Sequence, residues 1–178
     1  EIGLRLTMGL GNPPLYIADS EIGYLLAPNQ KLRRFGNLIE INQYSMRNQQ
    51  IEPEKAANTE RILFLGDSIV NGSLWKDRLQ TIPALVEQRL QQTNENNSIE
   101  TLNASANSWG TRNELAYLQR FGLFDASSLI LVVNTDDLLA TKSESSVVGS
   151  PSYPNKKPTL ASIEYYQLFI AYCTNRLL

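Results

Sequence analysis

The chain has 178 residues, of which 42% are hydrophobic and 19% are charged, and its formal net charge is −2. This length and composition are typical of one globular domain and exclude disordered and fibrous proteins, and the small charge gives little attraction for nucleic acid or anionic lipid. The chain has one cysteine and no histidine, so its residues can form neither an internal disulfide nor a histidine general base.

The first ten residues leave two interpretations open. They are half apolar, and the chain starts with Glu1 rather than with methionine. One interpretation is the end of a removed anchor or signal region, which would make the protein exported or membrane-anchored, and the other is an ordinary first helix or strand. No stretch approaches the roughly eighteen consecutive apolar residues that a membrane-spanning helix needs.

Residues 1–58 are interpreted as an N-terminal extension. Residues 11–30 are rich in Gly, Pro and Asn, which predicts turns. Residues 32–46 predict extended structure around a Gly36-Asn37 turn, which favours a hairpin. Residues 48–58 are polar and predict a linker onto the main domain.

Residues 59–178 are interpreted as the main domain because strand and helix patterns alternate there. Three apolar runs predict strands, at residues 62–65, 99–102 and 129–133, and the first is apolar throughout, as in a strand buried on both faces. Strands that alternate with helices form a parallel sheet through right-handed crossovers. Ligands bind such sheets beyond the carboxyl ends of the strands.

Helix signals follow the predicted strands. Thr81 and Pro83 begin one helix, and Thr111 with Glu114 fits a capping box at the start of a second helix, which ends at Gly122. A last helix begins near Ser162, after a loop rich in Ser, Gly and Pro. The apolar side chains expected to face the core from these helices are Leu79, Leu85, Val86, Leu90, Leu115, Leu118, Ile163, Tyr166, Ile170, Cys173 and Leu177.

A polar motif follows each predicted strand. The motifs are Gly66-Asp67-Ser68, residues 103–111, and Asn134-Thr135-Asp136-Asp137. Because the carboxyl ends of parallel strands share one edge of a sheet, we expect the three motifs to lie together. One such motif is a weak signal, whereas three at one edge predict a functional site.

Ser68 is the candidate nucleophile of that site. It directly follows a predicted buried strand, and Gly66 permits a tight turn there. A serine hydroxyl in this position can attack a carbonyl carbon while neighbouring backbone N–H groups stabilise the oxyanion that forms. The alternative is that Asp67 and Ser68 cap the start of a helix and have no chemical role.

The three motifs resemble the sequence blocks of the SGNH/GDSL hydrolases. The first block of that superfamily is an apolar strand that ends in Gly-Asp-Ser, matched here by Leu65-Gly66-Asp67-Ser68. The second block, whose glycine N–H contributes to the oxyanion hole, resembles residues 103–111, with Ser108 at the glycine position. The third block, a strand ending in Gly-x-Asn-Asp, resembles residues 133–137. The likeness covers about residues 19–47 and 60–142, which is most of the chain.

The resemblance implies a fold and an activity. The fold would be a flavodoxin-like α/β/α sandwich of three layers around a parallel sheet, incomplete at its C-terminal end. The activity would be hydrolysis of acyl or acetyl esters of a lipid or glycan through an acyl-serine on Ser68, or acyl transfer to a polysaccharide hydroxyl. It implies no cofactor, no metal and no nucleic-acid partner. Contact with a membrane would come only from a removed N-terminal anchor, and the oligomeric state stays open.

Two departures from the family concern the oxyanion hole. Serine at position 108 retains a backbone N–H, but it adopts a positive φ only at a cost. Asp136 stands at the position of the family's asparagine, and a carboxylate cannot donate a hydrogen bond to an oxyanion unless it is protonated. Asn134 lies two residues earlier, on the same side of an extended strand, and could supply the amide while Asp136 or Asp137 holds the loop.

Other roles for these residues are also open. Asp136 and Asp137 are the residue types that bind magnesium or calcium, but no further acidic partner is evident, so no metal site is expected. Trp109 could line a substrate pocket or belong to the core, and Asp137 is a second candidate for substrate binding. A nucleotide-binding domain that uses Asp67 is a further alternative, against which stands the absence of a Gly-rich phosphate loop.

The family's fourth block, Asp-x-x-His, has no counterpart in these residues because the chain contains no histidine. Two explanations are open. Either the chain stops before that block, or the protein is a binding module that keeps the fold without catalysis. An Asp-x-x-His motif in the coding sequence after Leu178 would favour the enzyme, and a stop codon directly after Leu178 would favour the module.

Overall fold

The computed structural model describes residues 1–94, 96–135, 137 and 143–174, with the side chains of 171–174 left out. The N-terminal extension contains one helix and two antiparallel hairpins. These elements are α1 (Ile2–Met8), β1 (Tyr16–Asp19) paired with β2 (Gly23–Leu26), and β3 (Gln30–Arg34) paired with β4 (Asn37–Ile41). The second hairpin confirms the one predicted around Gly36. Turns at residues 20–22 and bends at 28–29 agree with the turn-rich pattern predicted for residues 11–30. That pattern did not reveal β2, because β2 is buried along its whole length and so lacks the alternating pattern of a half-exposed strand.

A three-stranded parallel sheet lies at the centre of the remaining residues, which confirms the mixed α/β prediction. The strand order is β6-β5-β7. In chain order the elements are β5 (Thr59–Gly66), α2 (Ser68–Asn71), α3 (Ile82–Thr93), β6 (Ser98–Ser105), α4 (Thr111–Phe121), β7 (Ser128–Leu131) and α5 (Ala161–Thr174). The predicted helix starts at Thr81 and Pro83 and the helix end at Gly122 agree with α3 and α4.

The register of the sheet aligns the carboxyl ends of its strands. Gly66 at the end of β5 lies opposite Ser105 at the end of β6, and Leu65 lies opposite Leu131 at the end of β7. The chain therefore leaves all three strands at one edge. The loops that follow them hold the three polar motifs, as the sequence predicts.

The N-terminal extension packs directly onto this sheet. Tyr24, Met46 and Ile51 belong to the same hydrophobic core as Leu63 and Trp109. The segment after β4 also covers the outer edge of β6, because the backbone N–H of Arg47 donates to the Asn103 carbonyl (2.9 Å) and the side chain of Asn48 bonds the backbone of β6. The extension is thus part of the wall of the central fold.

Several predicted helix details are wrong. Gly110 rather than Thr111 precedes the first turn of α4, and its N–H donates to the Asn113 side chain (3.1 Å), so the predicted capping box is displaced by one residue. Helix α5 begins one residue before Ser162, and the Glu1 carboxylate accepts the N–H groups of its first two residues (2.9 and 3.2 Å). A side chain from the far end of the chain therefore does the capping that local sequence suggested for Ser162.

Many of the apolar side chains expected in the core are exposed. They include Leu79, Leu85, Leu90, Leu115, Ile163, Tyr166 and Ile170, whereas Leu118 packs against the core. Helical periodicity identifies an apolar face but does not supply the element that covers it. The Cys173 side chain and Leu177 lie outside the described residues. Within the described part of the chain, no helix combines the length and apolar character needed to cross a membrane.

Candidate functional site

Ser68 stands at the carboxyl end of the central strand, where the chain turns from β5 into α2. Gly66 makes this turn feasible, since a Cβ atom at that position would collide with the Val70 side chain. Asp67 caps the short helix, because its Oδ1 accepts the backbone N–H of Ile69 (2.8 Å). The capping alternative therefore holds for Asp67, and it leaves the hydroxyl of Ser68 without a structural task.

The Ser68 side chain is half-buried. Its hydroxyl forms no hydrogen bond with another described residue, and its backbone N–H also donates to none of them. A hydroxyl and an adjacent N–H that are both unpaired can act together on one carbonyl group, since the first attacks the carbon and the second binds the oxygen.

The loop after β6 is tied closely to the Ser68 helix by two buried amides. The Asn71 side chain donates to the Ser105 carbonyl (2.9 Å), and the Asn103 side chain donates to the Val70 carbonyl (3.0 Å). Asn71 and Asn103 are almost fully buried. These bonds fix the end of β6 relative to Ser68, so the start of the 103–111 motif cannot shift independently of the candidate nucleophile.

Ser108 adopts the left-handed conformation, with φ at 61°. This is the strained geometry that serine at a glycine position was expected to require. Its hydroxyl accepts a hydrogen bond from Tyr153 (3.0 Å), and its carbonyl accepts one from the Ser143 hydroxyl. The Ser108 N–H donates to none of the described residues.

Trp109 lies in the core, which is one of its two alternatives. Its side chain is 2% exposed, its indole N–H donates to the Tyr24 carbonyl (3.0 Å), and its ring lies 5.6 Å from that of Tyr117. A side chain this deeply enclosed packs the loop onto the extension, and a role of Trp109 in substrate binding stays a prediction. Trp75, by contrast, is an exposed surface residue that stacks on Phe35.

The motif after β7 folds into a tight turn around Asn134. The backbone N–H of Asn134 donates to the Asp137 carboxylate (2.8 Å), and the backbone N–H of Asp137 donates to the Asn134 side-chain oxygen (3.2 Å). Asp137 is 6% exposed. It therefore holds the loop, which is the structural role that the sequence left open for it. Asp136 lies outside the described residues.

Asn134 also reaches across to the Ser68 turn. Its side-chain N–H group donates to the Asp67 carboxylate (3.2 Å). This contact brings the first and third motifs together, as the sequence predicts. It also engages the amide that was expected to point at an oxyanion, so Asn134 acts on the residue next to the candidate nucleophile.

Glu114 belongs to the candidate site. From the sequence, Glu114 was expected only to cap a helix. Its side chain is 1% exposed, and neither carboxylate oxygen has a hydrogen-bond partner among the described residues. Burial and the nearby carboxylates of Asp137 and Asp67 raise its pKa to about 7. The signal that could have found it is its position on the buried face of α4, three residues before Tyr117. Within the described ranges, no three acidic, histidine or cysteine side chains are grouped as metal ligands.

Arg47 is a second residue that local patterns did not reveal. Its guanidinium group is 2% exposed and donates to the carbonyls of Asn71 (2.7 Å), Ser73 and Lys76, in the segment that follows the Ser68 helix. Burial lowers the pKa of Arg47 to about 10. Arg47 of the N-terminal extension therefore fixes the segment that follows the Ser68 helix through a buried positive charge.

A cavity of about 220 Å³ opens beside the loop after β6. Most of its lining comes from the N-terminal extension and from residues 151–168, with Arg34 and Glu164 among them, and the loop after β6 contributes Asn107. Asn107 directly precedes Ser108 in the chain. Neither Ser68 nor Ser108 lines this cavity, and Asn107 is its one lining residue from the described part of the three motifs.

The three motifs lie at one edge of a parallel sheet in a mixed α/β fold. The Ser68 hydroxyl and the backbone N–H groups of Ser68 and Ser108 stand unpaired there among the described residues. Comparison with known proteins found no family model that matches the chain and no curated protein that matches it.

Proposed function

We propose that the protein is a serine esterase-like hydrolase that acts on acyl or acetyl esters, with Ser68 as the nucleophile. The observation that carries the proposal is the unpaired hydroxyl of Ser68 at the carboxyl end of the central strand. The SGNH/GDSL resemblance of the three motifs supports the same role. Their common location at one edge is what a hydrolase of this type requires.

The reaction follows from these groups. The Ser68 Oγ attacks the ester carbonyl carbon while its proton passes to a general base, and the carbonyl oxygen becomes an oxyanion. The backbone N–H groups of Ser68 and Ser108 donate to that oxygen. The carbon–oxygen bond to the alcohol then breaks as the base returns the proton, which leaves an acyl-serine. Water completes hydrolysis, and a polysaccharide hydroxyl in place of water would make the reaction acyl transfer.

Asn134 has an indirect role in this proposal. Its amide holds Asp67, which caps the helix that Ser68 begins. It therefore orients the nucleophile's turn rather than serving as the main oxyanion donor. The general base must come from outside these 178 residues if it is a histidine, since they contain none. The Asp-x-x-His block that the resemblance implies would supply it.

A binding module with the same fold is the second candidate function. The absence of histidine from these residues favours it, and so does the engagement of the Asn134 amide by Asp67. Such a module would keep the pocket beside Asn107 and would not form an acyl-serine. The two candidates therefore differ in one measurable property, which is covalent chemistry at Ser68.

The test is hydrolysis of short-chain acyl nitrophenyl esters by the full-length protein. We expect turnover in the parent protein and a loss of at least about a thousandfold in Ser68→Ala, because removal of a nucleophile removes the acyl-enzyme route. Ser73→Ala is the matched control, since Ser73 lies in the next segment and bonds Asn107 (3.0 Å). Equal turnover in parent and Ser68→Ala would refute the proposal, and no turnover in the parent would favour the binding module.

A further inference from the structure

Three buried carboxyl groups act on one another electrostatically at the candidate site. Asp67 and Asp137 are 8% and 6% exposed, and Glu114 is 1% exposed. Asp67 and Asp137 both have hydrogen-bond donors, because Ile69 and Asn134 donate to Asp67 and the Asn134 backbone donates to Asp137. Glu114 differs from them, since neither of its oxygens has a partner among the described residues.

The charged groups that act on Glu114 lie in two other segments of the chain. Asp67 lies at the carboxyl end of β5, and Asp137 lies in the turn after β7. Both are acidic, and no basic side chain among the described residues offsets them at Glu114. A third carboxylate in this position would be both desolvated and repelled by its neighbours, whereas a neutral carboxylic acid would be tolerated.

We propose that Glu114 is a proton-dependent positioning residue for the Asn134 turn. As a neutral acid it allows Asp67 and Asp137 to hold Asn134 between the first and third motifs. As a carboxylate it repels Asp67 and Asp137 and loosens the bridge from Asn134 to Asp67. The inference concerns the geometry of the turn, and it holds whether or not Ser68 is a nucleophile.

The raised pKa of Glu114 determines how the stability of the fold changes with pH. The carboxyl of Glu114 has an ordinary pKa of 4.5, and burial together with Asp137 and Asp67 raises its pKa to about 7 in the folded protein. Between these two values the folded chain binds one more proton than the unfolded chain. The folding equilibrium constant therefore falls by up to about tenfold per pH unit across that interval and levels off above it.

The chain offers an unusually clean background for this measurement. These 178 residues contain no histidine, so they contribute no imidazole that titrates between pH 5 and 8. Two backbone N–H groups report directly on the cluster, since Ile69 donates to Asp67 and Asn134 donates to Asp137. Their amide chemical shifts can be followed in the full chain by nuclear magnetic resonance.

The experiment compares the parent chain with Glu114→Gln from pH 5 to 9. We expect both amide signals of the parent to move with a midpoint near pH 7 and to stay flat over that range in the variant, which retains the shape of the side chain but cannot ionise. Glu60→Gln is the control, because Glu60 is exposed on β5. The control should titrate like the parent.

A second variant keeps the inference testable if Glu114→Gln fails to fold. Asp137→Asn removes one of the two charges that act on Glu114 and keeps a side-chain oxygen that can accept the Asn134 N–H. We expect its midpoint to fall below that of the parent. The inference is overturned if the parent signals do not move near pH 7, if Glu114→Gln retains the transition, or if Asp137→Asn leaves the midpoint unchanged.

Discussion

The two strands that flank β5 build the candidate site in different ways. On the β6 side, Leu102 is 0% exposed and buried amides tie the strand to the Ser68 helix, whereas on the β7 side Leu129 is 45% exposed and the bonds around Asn134 run to carboxylates. The first flank is therefore held by packing and neutral hydrogen bonds. The second is held by hydrogen bonds to charged carboxylates.

This difference assigns separate tasks to the two loops. The end of β6 is fixed to the Ser68 helix when the chain folds, so in the proposed reaction the Ser108 N–H is in place before an ester binds. In our proposal, the loop with Asn134 is adjusted after folding through the protonation of Glu114. Preorganised donors are effective because they need no rearrangement during a reaction, and this is the role that we propose for the Ser108 N–H.

The largest loss of stability is expected when Arg47 of the N-terminal extension is replaced. Arg47→Met should lower the free energy of unfolding by about 3–5 kcal/mol, because three carbonyls behind the Ser68 helix would lose a charged donor. Urea denaturation measures this loss. Arg112→Met is the matched control, since Arg112 is exposed, and it should change stability by less than about 0.5 kcal/mol. A similar small change in both variants would contradict the proposed support.

A smaller contrast is expected from one leucine on each flank. Leu102→Ala should cost about 3 kcal/mol, as is usual for a leucine removed from a packed core, whereas Leu129→Ala should cost less than about 1 kcal/mol because its side chain already contacts solvent. Both values come from denaturant unfolding of the full chain. Equal losses at the two positions would show that β7 is covered in the protein, and the comparison of flanks would fail.

The smallest effect concerns the strained backbone of the rigid loop. Ser108→Gly and Ser108→Ala both remove the hydroxyl that Tyr153 contacts. Only glycine removes the backbone strain of the positive φ at this position. We expect the glycine variant to be more stable than the alanine variant by about 1 kcal/mol. Thermal unfolding of the pair measures this difference. If alanine proved the more stable of the two, residue 108 would not have the left-handed conformation.

The sequence predicts the sheet and the meeting of its motifs for a clear physical reason. A continuous apolar run such as residues 62–65 identifies a buried parallel strand, and parallel strands necessarily deliver their following loops to one edge. The hairpin around Gly36 was predictable because its turn residues separate two extended segments. These features depend on neighbours in sequence.

The features that escaped prediction depend on contacts between distant residues. Arg47 and Glu114 acquire their roles from groups that only folding brings near them, and Glu1 caps a helix at the far end of the chain. The burial of Trp109 follows from the extension that covers it through Tyr24. The side chains of Leu85 and Leu115 are exposed because no neighbouring element of the described chain covers them, and the helical periodicity of the sequence cannot reveal this.

The central claim is that the unpaired hydroxyl at the end of β5 is chemically reactive. The most direct measurement is reaction of the full-length protein with a fluorophosphonate probe, followed by mass spectrometry of the digested product. We predict one modified peptide carrying the label on Ser68, with no label when that residue is alanine. A label on another serine, or an unmodified protein after complete exposure to the probe, would contradict the account.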